Sequence, residues 1–261
     1  WALDNNVNRT TNTRVIGGGW GEITFMDGLT FKTQAGLDIA NVRDYMYWDT
    51  ESGDGYGYGG LISEVNSTYA TWNWQNVLNF TRTFNSVHNL TATAVQEYTH
   101  SETEYMDGSV YELSDPFFSE HIISNTFGQK DVGGWKSENG LASYMFRANY
   151  NYDSKYYIGA SIRYDGLSKL PKDTRWGTFW GASAAWRLSR EKFWTDAPVN
   201  EWFNDLRLRA SYATIGNSAL GSDYPYLGTY GAKLVGPMAG IAWNVMGNNN
   251  LKWETTETFD I

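Results

Sequence analysis

Hydrophobic and polar positions alternate with period two through the stretch Tyr144 to Ser189, and this stretch organises the reading of the rest. Tyr156, Ile158, Ala160, Ile162 and Tyr164 share one parity, while Tyr157, Gly159, Ser161, Arg163 and Asp165 share the other. In an extended strand these are opposite faces. The segment before it repeats the pattern, with Tyr144, Phe146, Ala148 and Tyr150 set against Met145, Arg147, Asn149 and Asn151. The segment after it sets Trp180, Ala182, Ala184, Trp186 and Leu188 against Gly181, Ser183, Ala185 and Arg187. Three consecutive strands therefore carry an apolar face with aromatic residues towards its ends. A soluble sandwich would place its largest apolar groups in the middle of the buried face. Tyr156 and Tyr164 are separated by roughly 26 Å of strand, and a tilt of about 40° reduces this to roughly 20 Å along a membrane normal. That is close to the apolar band of a transmembrane β-barrel. The pattern predicts an all-β, antiparallel transmembrane barrel wall.

The other segments are read against this one. Residues 1–20 are polar and rich in Asn and Thr, and are expected to form a loop leading to Trp20. Ile23 and Phe25 close a strand before the Met26-Asp27-Gly28 turn, since Asp-Gly is a strong hairpin signal. Leu29, Phe31, Thr33, Ala35, Leu37 and Ile39 alternate with polar or small residues. A further strand covers about 68–82, with Trp72, Trp74, Leu78 and Phe80, and its return carries Leu90, Ala92, Ala94 and Tyr98. Leu206, Leu208, Ala210 and Tyr212 mark another strand, and Trp253, Thr255, Phe259 and Ile261 a last one in which Glu257 falls on the apolar face. Glu257 must then be shielded, or the phase slips. Short connections are expected at 26–28, 83–88 and 152–155, with a longer one at 190–204 that has room for a helical turn. Long loops are expected at 43–67, 100–140 and 215–250. Short turns on one side and long loops on the other are the bacterial outer-membrane arrangement. About nine strands is an odd count, and the chain starts at Trp1 and ends in an alternating segment, so a fragment of a longer protein is expected.

Composition narrows this further. The chain has 13 Trp, 18 Tyr and 12 Phe, and no Cys, which removes disulfide and thiolate-metal chemistry. Mean hydropathy is −0.49, and no run of about 18 apolar residues exists, so no transmembrane helix is expected. Barrel strands expose only alternate residues to lipid, so a low average does not exclude a membrane protein. A net charge of −9 argues against a nucleic-acid partner, which would need a basic face.

Four blocks, RANYNYDSKYYIGASIRYDGLSKL, RWGTFWGASAAWRLSREKF, NDLRLRASYATIGN and NNNLKWETTETFDI, come in order over about 115 residues. Together they resemble the SusC/RagA-type TonB-dependent transporters of Bacteroidetes. Residues 20–99 are similar in texture, while the loops match nothing specific. The resemblance implies a 22-stranded barrel in the bacterial outer membrane, plugged by an N-terminal domain and importing large nutrients (glycan or peptide oligomers) with energy delivered through TonB. It also implies a SusD-like surface lipoprotein as lid. All of residues 1–261 would belong to the barrel, with the plug, the TonB box and roughly half the strands missing. A transporter-like barrel serving as a scaffold in another envelope complex is the alternative.

Candidate sites follow. Gly55-Tyr56-Gly57-Tyr58-Gly59-Gly60 satisfies the GxGxxG spacing, but no helix opens at its third glycine, so it reads as a loop tip. Asp49, Glu51 and Asp54 have the wrong spacing for a calcium loop. His88, His100 and His121 are scattered, and no nucleophile–base spacing stands out, so no catalytic, metal or cofactor site is expected. Arg147, Arg163, Arg187, Arg207 and Arg209 fall on the inward face, there either solvating the lumen with carboxylates such as Asp165 and Asp260 or contacting the plug. Ile158, Ala160, Ile162, Trp180, Ala182, Ala184, Trp186, Leu206, Leu208 and Ala210 are expected to face lipid. Tyr56, Tyr58, Trp135, Trp176, Tyr224, Tyr226 and Trp243 are expected in long loops, lining a ligand site or packing on neighbouring loops or the lid. The 100–140 loop, with Glu102, Glu104, Asp107, Glu112, Asp115 and Trp135, is expected to dock the lipoprotein or else to narrow the pore.

Overall fold

The computed structural model describes residues 5–51, 53–114, 121–235 and 238–261. Its elements in chain order are β1 (Val7–Met26), β2 (Leu29–Trp48), a one-turn helix α1 (Gly53–Tyr56), β3 (Leu61–Phe84), β4 (His88–Tyr111), β5 (Lys130–Tyr152), β6 (Tyr156–Leu167) and β7 (Trp176–Arg187). Then come a 3₁₀ turn at Leu188–Arg190, helix α2 (Lys192–Thr195), a second 3₁₀ turn at Pro198–Glu201, β8 (Arg207–Asn217), β9 (Thr229–Val235), β10 (Met238–Val245) and β11 (Glu254–Asp260). Nine strands form one sheet in the order β1-β2-β3-β4-β5-β6-β7-β8-β11, and β9–β10 make a separate two-stranded sheet between β8 and β11 in the chain. The predicted nine-stranded antiparallel sheet is therefore present. No helix of the described residues is long and apolar enough to cross a membrane.

The turns follow local chemistry. Gly28 adopts φ +85°, and a β-carbon there would run into the Thr81 carbonyl oxygen, so backbone conformation and space both require glycine. The Asn85-Ser86 and Asp153-Ser154 pairs each adopt positive φ, closed by Val87 N–H donating to Phe84 O (3.2 Å) and Lys155 N–H donating to Tyr152 O (2.9 Å). Short polar side chains tolerate that conformation best. The 190–204 connection carries α2 and the second 3₁₀ turn, in line with the expected helical turn.

The structure corrects the expected loops. Residues 7–20 lie within β1, not in a loop. The connection after β2 is confined to 49–60, that after β4 to 112–129, and residues 229–245 hold the β9–β10 hairpin. For β1 the cause is water on both faces. Period-two alternation appears only where one face must be apolar; a strand wetted on both faces is held by its backbone ladder and shows no such signal. Within β1, Thr10 Oγ1 donates to Asp44 (2.6 Å) and Arg14 pairs with Asp38 (2.5 Å), so polar cross-strand contacts join this strand to β2. At Glu257 there is no slip. The β11–β8 register is continuous from Glu254↔Asn217 to Asp260↔Ser211, and Tyr212, beside Phe259, provides Glu257 with a hydrogen-bond partner.

The chain divides into two compact units. The first comprises Trp1–Gly18, Gly36–Trp72 and His100–Glu138. Its core is Tyr47, Ile62 and Val110, with Tyr45, Leu113 and Ile123 packed against it. The segment after residue 120 closes over this core, with His121 stacked on Tyr47 (3.9 Å) and Tyr45 donating to the His121 carbonyl (2.7 Å). The second comprises Gly19–Ala35, Asn73–Thr99 and Asn139–Ile261, and includes all of β6, β7, β8 and β11.

Candidate functional site

In the second unit, registers fix which side chains share a face. Tyr152 pairs with Tyr156 and Tyr156 with Trp186; eight residues along, Tyr144 pairs with Tyr164 and Tyr164 with Thr178. The first set forms a stacked row, Tyr152–Tyr156 at 6.3 Å and Tyr156–Trp186 at 6.4 Å, which Phe193 extends edge-on. The second row is Tyr144–Trp176 at 6.5 Å and Tyr164–Trp176 at 4.7 Å. Between the rows the same face carries Ile158, Ala160, Ile162, Ala182 and Ala184, paired in register, with Trp180 opposite Ile162 and Leu208 opposite Trp186. Leu206 lies just before β8, whose first residue is Arg207. Ile158 is 59% exposed, Ile162 50% and Leu208 56%, so among the described residues none covers these side chains.

A carboxylate from the chain reversal clamps one row. Tyr156 Oη donates to Glu191 Oε1 (2.5 Å) and Trp186 Nε1 donates to the same oxygen (3.1 Å). These bonds, the tyrosine's first, hold the Glu191 carboxyl below its ordinary pKa.

The opposite face is polar. Arg163 Nε lies 2.8 Å from Asp165, and Arg163 Nη2 donates to Ser143 Oγ (2.9 Å). Arg187 and Arg207 are opposed in register, a like-charge pair, and Asp205 answers both at 2.9 Å. Arg207's hydrogen bond, and after it that of Arg187, holds the Asp205 carboxyl below the usual range. Arg147 and Arg209 are exposed and, among the described residues, have no ion-pair partner. Asp165 thus meets the expectation of an internal partner, whereas Asp260 shares a hollow of about 590 Å³ with Arg209 without pairing with it. Asp205 was not foreseen, because the chain reversal before β8 brings it there.

The seven candidate aromatics do not converge on one site. Tyr56 (in α1) and Tyr58 lie in the 49–60 connection, and Tyr58 contacts Trp48 and Tyr111. Trp135 is a β5 residue stacked on Tyr105 (5.6 Å). Trp176 opens β7 and belongs to the second aromatic row. Trp243 is a β10 residue 4.0 Å from Tyr230, while Tyr224 and Tyr226 lie between β8 and β9. Trp135, Trp176 and Trp243 are therefore strand residues, not loop residues. Of the acids expected in the 100–140 loop, Glu102, Glu104 and Asp107 are in β4 and Glu112 follows it, while Asp115 lies outside the described residues. His100, Glu102 and Glu138 bring ligand atoms within 4.8 Å of one another, but Lys136 Nζ sits 2.7 Å from Glu102, the geometry of a cross-strand ion-pair ladder.

A sheet with aromatic rows at both ends of an uncovered apolar face, and a polar opposite face, is the wall of a membrane barrel. The family described as TonB dependent receptor-like, beta-barrel, matches residues 1–261. The chain belongs to this family. Among relatives of the receptor barrel, TonB-dependent receptor P39 of Formosa agariphila is 31% identical over 232 residues, covering 88% of this chain and 22% of the relative. TonB-dependent receptor SusC of Bacteroides thetaiotaomicron is 32% identical over 138 residues, 50% of this chain and 14% of the relative. A solved structure of the RagAB peptide transporter superposes with a TM-score of 0.83 at 23% identity, covering 98% of this chain and 28% of that one. The chain thus spans about a quarter or less of the relatives it matches.

Proposed function

We propose that this chain is part of the barrel wall of an outer-membrane importer that takes up large nutrients, glycan or peptide oligomers, with energy delivered through TonB. The observation that carries this reading is the pair of aromatic rows eight residues apart on one uncovered face, which suits a bilayer, backed by a polar face suited to a lumen. Family membership and the likeness to SusC and RagAB support it. On this reading residues 1–261 all belong to the barrel, and a plug and the TonB contact lie elsewhere in the parent protein. Arg147 and Arg209 are available to plug carboxylates, while Arg163, Arg187 and Arg207 are held by the wall's own acids. A SusD-like surface lipoprotein is the lid, and Tyr56, 72% exposed, and the 112–129 connection are its contact surface.

The test is uptake by cells carrying the full-length protein and its lipoprotein, fed fluorescent oligomers from protein and polysaccharide hydrolysates. Uptake that stops when TonB is deleted supports the proposal. Uptake that continues without TonB, or an intact cell that takes up neither class, overturns it. For the lid, shortening 112–129 to a Gly/Ser linker should reduce co-purified lipoprotein; full yield would exclude that segment as the main contact.

A further inference from the structure

On the polar face of the second unit, one patch is apolar. Register places Met145 and Phe179 on either side of Arg163, and Ser143 and Gly177 on either side of Asp165. The next row along the strands is small, with Ser161 opposite Gly181 and Gly181 opposite Ala213. There the β7–β8 ladder ends, although β7 runs on to Trp176 and β8 to Asn217. Thr214 Oγ1 serves the backbone at that point, accepting from Trp180 N–H (2.9 Å) and donating to Trp180 O (3.2 Å). Beyond it the Phe179 ring lies against Gly177 of β7 and Gly216 of β8, where a β-carbon on either glycine would run into it. Trp253 meets this ring edge-on at 5.2 Å and is fixed by donating its Nε1–H to Arg175 O (2.9 Å). The parting of the strands leaves a cavity of about 380 Å³, floored by the small row, backed by Met145, Arg163 and Phe179, and walled by Trp253 and Ile215. Its charged lining is neutralised internally, since Arg163 Nε lies 2.8 Å from Asp165, itself only 7% exposed. Glu97 stands 4.0 Å from Arg163 Nη2, so no positive charge is left over for an anion.

We infer that this cavity takes an aromatic side chain, such as phenylalanine, of an imported peptide. This rests on the import reading above and names the part of the cargo that the wall recognises. The volume lies within the range of about 300–1,000 Å³ of small-ligand sites, which are mostly apolar with few polar groups. Ile215 is 59% exposed on a face that is otherwise polar, so an apolar occupant would remove it from water. The planar guanidinium of Arg163, held by Asp165 and Ser143, suits stacking with a ring, and Met145 and Phe179 flank it with a thioether and a second ring. A sugar could stack on Trp253, but its hydroxyls would enter a cavity whose charged pair is already satisfied, and would lose hydration without full replacement. The walls are set beforehand. Lys169 pairs with Asp223 (3.1 Å) and the Thr174 hydroxyl donates to Leu251 O (2.5 Å), which ties down the connection that carries Ser218 at one end of the cavity and Trp253 at the other.

The experiment uses the full-length receptor with its lipoprotein in lipid nanodiscs and three probes: acetyl-Gly-Phe-Gly-amide, acetyl-Gly-Ala-Gly-amide and maltotriose. Calorimetry should show the phenylalanine peptide binding about tenfold tighter than the alanine peptide, the lower end of what burying a large apolar side chain gives. Raised salt should leave that preference in place, since the probes carry no charge. Ala213→Phe fills the cavity from its floor and should abolish the preference, and Gly216→Ala drives Phe179 from its seat and should weaken it. Ala182→Phe adds the same ring to the opposite, apolar face of β7, should leave the preference intact and serves as the folding control. Equal binding of the two peptides, a preference indifferent to Ala213→Phe, or maltotriose binding better than the phenylalanine peptide overturns the inference. Equal binding together with a loss of stability in Ala213→Phe, not shared by Ala182→Phe, also overturns it and assigns the cavity to the plug. TonB-dependent uptake is measured on the same variants. If it persists while the peptides are not distinguished, the side-chain site fails and the importer stands; if a clear phenylalanine preference accompanies TonB-independent uptake, the importer reading fails instead.

Discussion

The two units solve the same problem with different solvents. In the first, Ile62 is 1% exposed, Val110 3% and Tyr47 7%, because Leu113, Ile123 and the segment around His121 lie over them. In the second, Ile158, Ile162 and Leu208 remain half or more exposed, with aromatic rows rather than a covering segment at the limits of the patch. Leaving such side chains in water would forfeit about 1.5–3 kcal/mol each relative to burial. A sheet that did so repeatedly along β5 to β8 would aggregate. The first unit is therefore built for water and hides its apolar groups with its own chain, while the second is built for lipid and leaves them outward. Exposure means opposite things in the two places.

The largest effect expected from this contrast is at Ile62. Ile62→Ala opens a cavity in a covered core and should cost about 2–5 kcal/mol. Ile158→Ala, on a face that lipid refills, should cost less than about 1 kcal/mol, since no void is left behind. Denaturant titration of the full-length protein in bilayers compares the two. Equal costs would break the distinction between chain-covered and lipid-covered faces.

Next in size is a charge in the apolar band. Ala160→Arg, midway between the rows, should destabilise by about 2–4 kcal/mol, while arginine at Trp186, in a row, should cost about 0–1 kcal/mol through the charge alone. Replacing an aromatic also removes packing, so Trp186→Arg is compared with Trp186→Ala to isolate the charge. A flat profile with depth would sink the bilayer assignment of this face.

The contrast also explains what could be read from sequence. β6, β7 and the near part of β5 were legible because lipid on one side and water on the other force strict alternation, as in Tyr156, Ile158, Ala160, Ile162, Tyr164. The outer halves of β2 to β5 were not. In Arg43-Asp44-Tyr45-Met46-Tyr47 both parities mix polar and apolar residues, which signals a loop by pattern, yet it is a strand whose apolar residues Tyr45 and Tyr47 are covered by a distant segment of the chain and not by a continuous apolar layer. β1 failed because it is exposed on both faces, and β9–β10 because each is only seven or eight residues long and lies among Gly- and Asn-rich stretches. Among site residues, Arg163–Asp165 was legible because the two sit two apart on one strand. Glu191 was not, since it turns back onto Trp186 and Tyr156 through the 3₁₀ turn at Leu188–Arg190, and the bond from Asp205 to Arg187 was not, since it forms only after the chain reverses through α2; no spacing in the sequence encodes either return.

Those two carboxylates give the smaller tests. Removing the hydroxyl in Tyr156→Phe takes away the leading cause of the low Glu191 pKa, so the Glu191 titration, followed by NMR, should move up towards the ordinary range while both aromatic rows persist. An unmoved titration would show that Trp186 and Lys155 hold the carboxylate without the tyrosine.

The last prediction concerns Asp205, in the connection before β8, where a water-exposed end of the lipid-built unit should behave as the first unit's ion pairs do. Its carboxyl is held below the ordinary value of about 3.9 by Arg207 and then Arg187. A carboxylate with a lowered folded pKa binds fewer protons folded than unfolded. Its stabilisation is therefore complete above the unfolded value and is lost as pH falls through that value towards the folded one. In Asp205→Asn that contribution is absent at every pH, and the opposed Arg187 and Arg207 are left facing one another. The variant should thus be less stable than wild type at pH 7, and the difference should shrink steadily below about pH 4 as the wild-type carboxyl is protonated. Asp205 and Arg207 are solvent-exposed, so added salt should narrow the gap at pH 7 as well. A gap that is constant from pH 7 to pH 3, or one that widens in acid, would show that Asp205 acts through packing of the chain reversal and not through its charge.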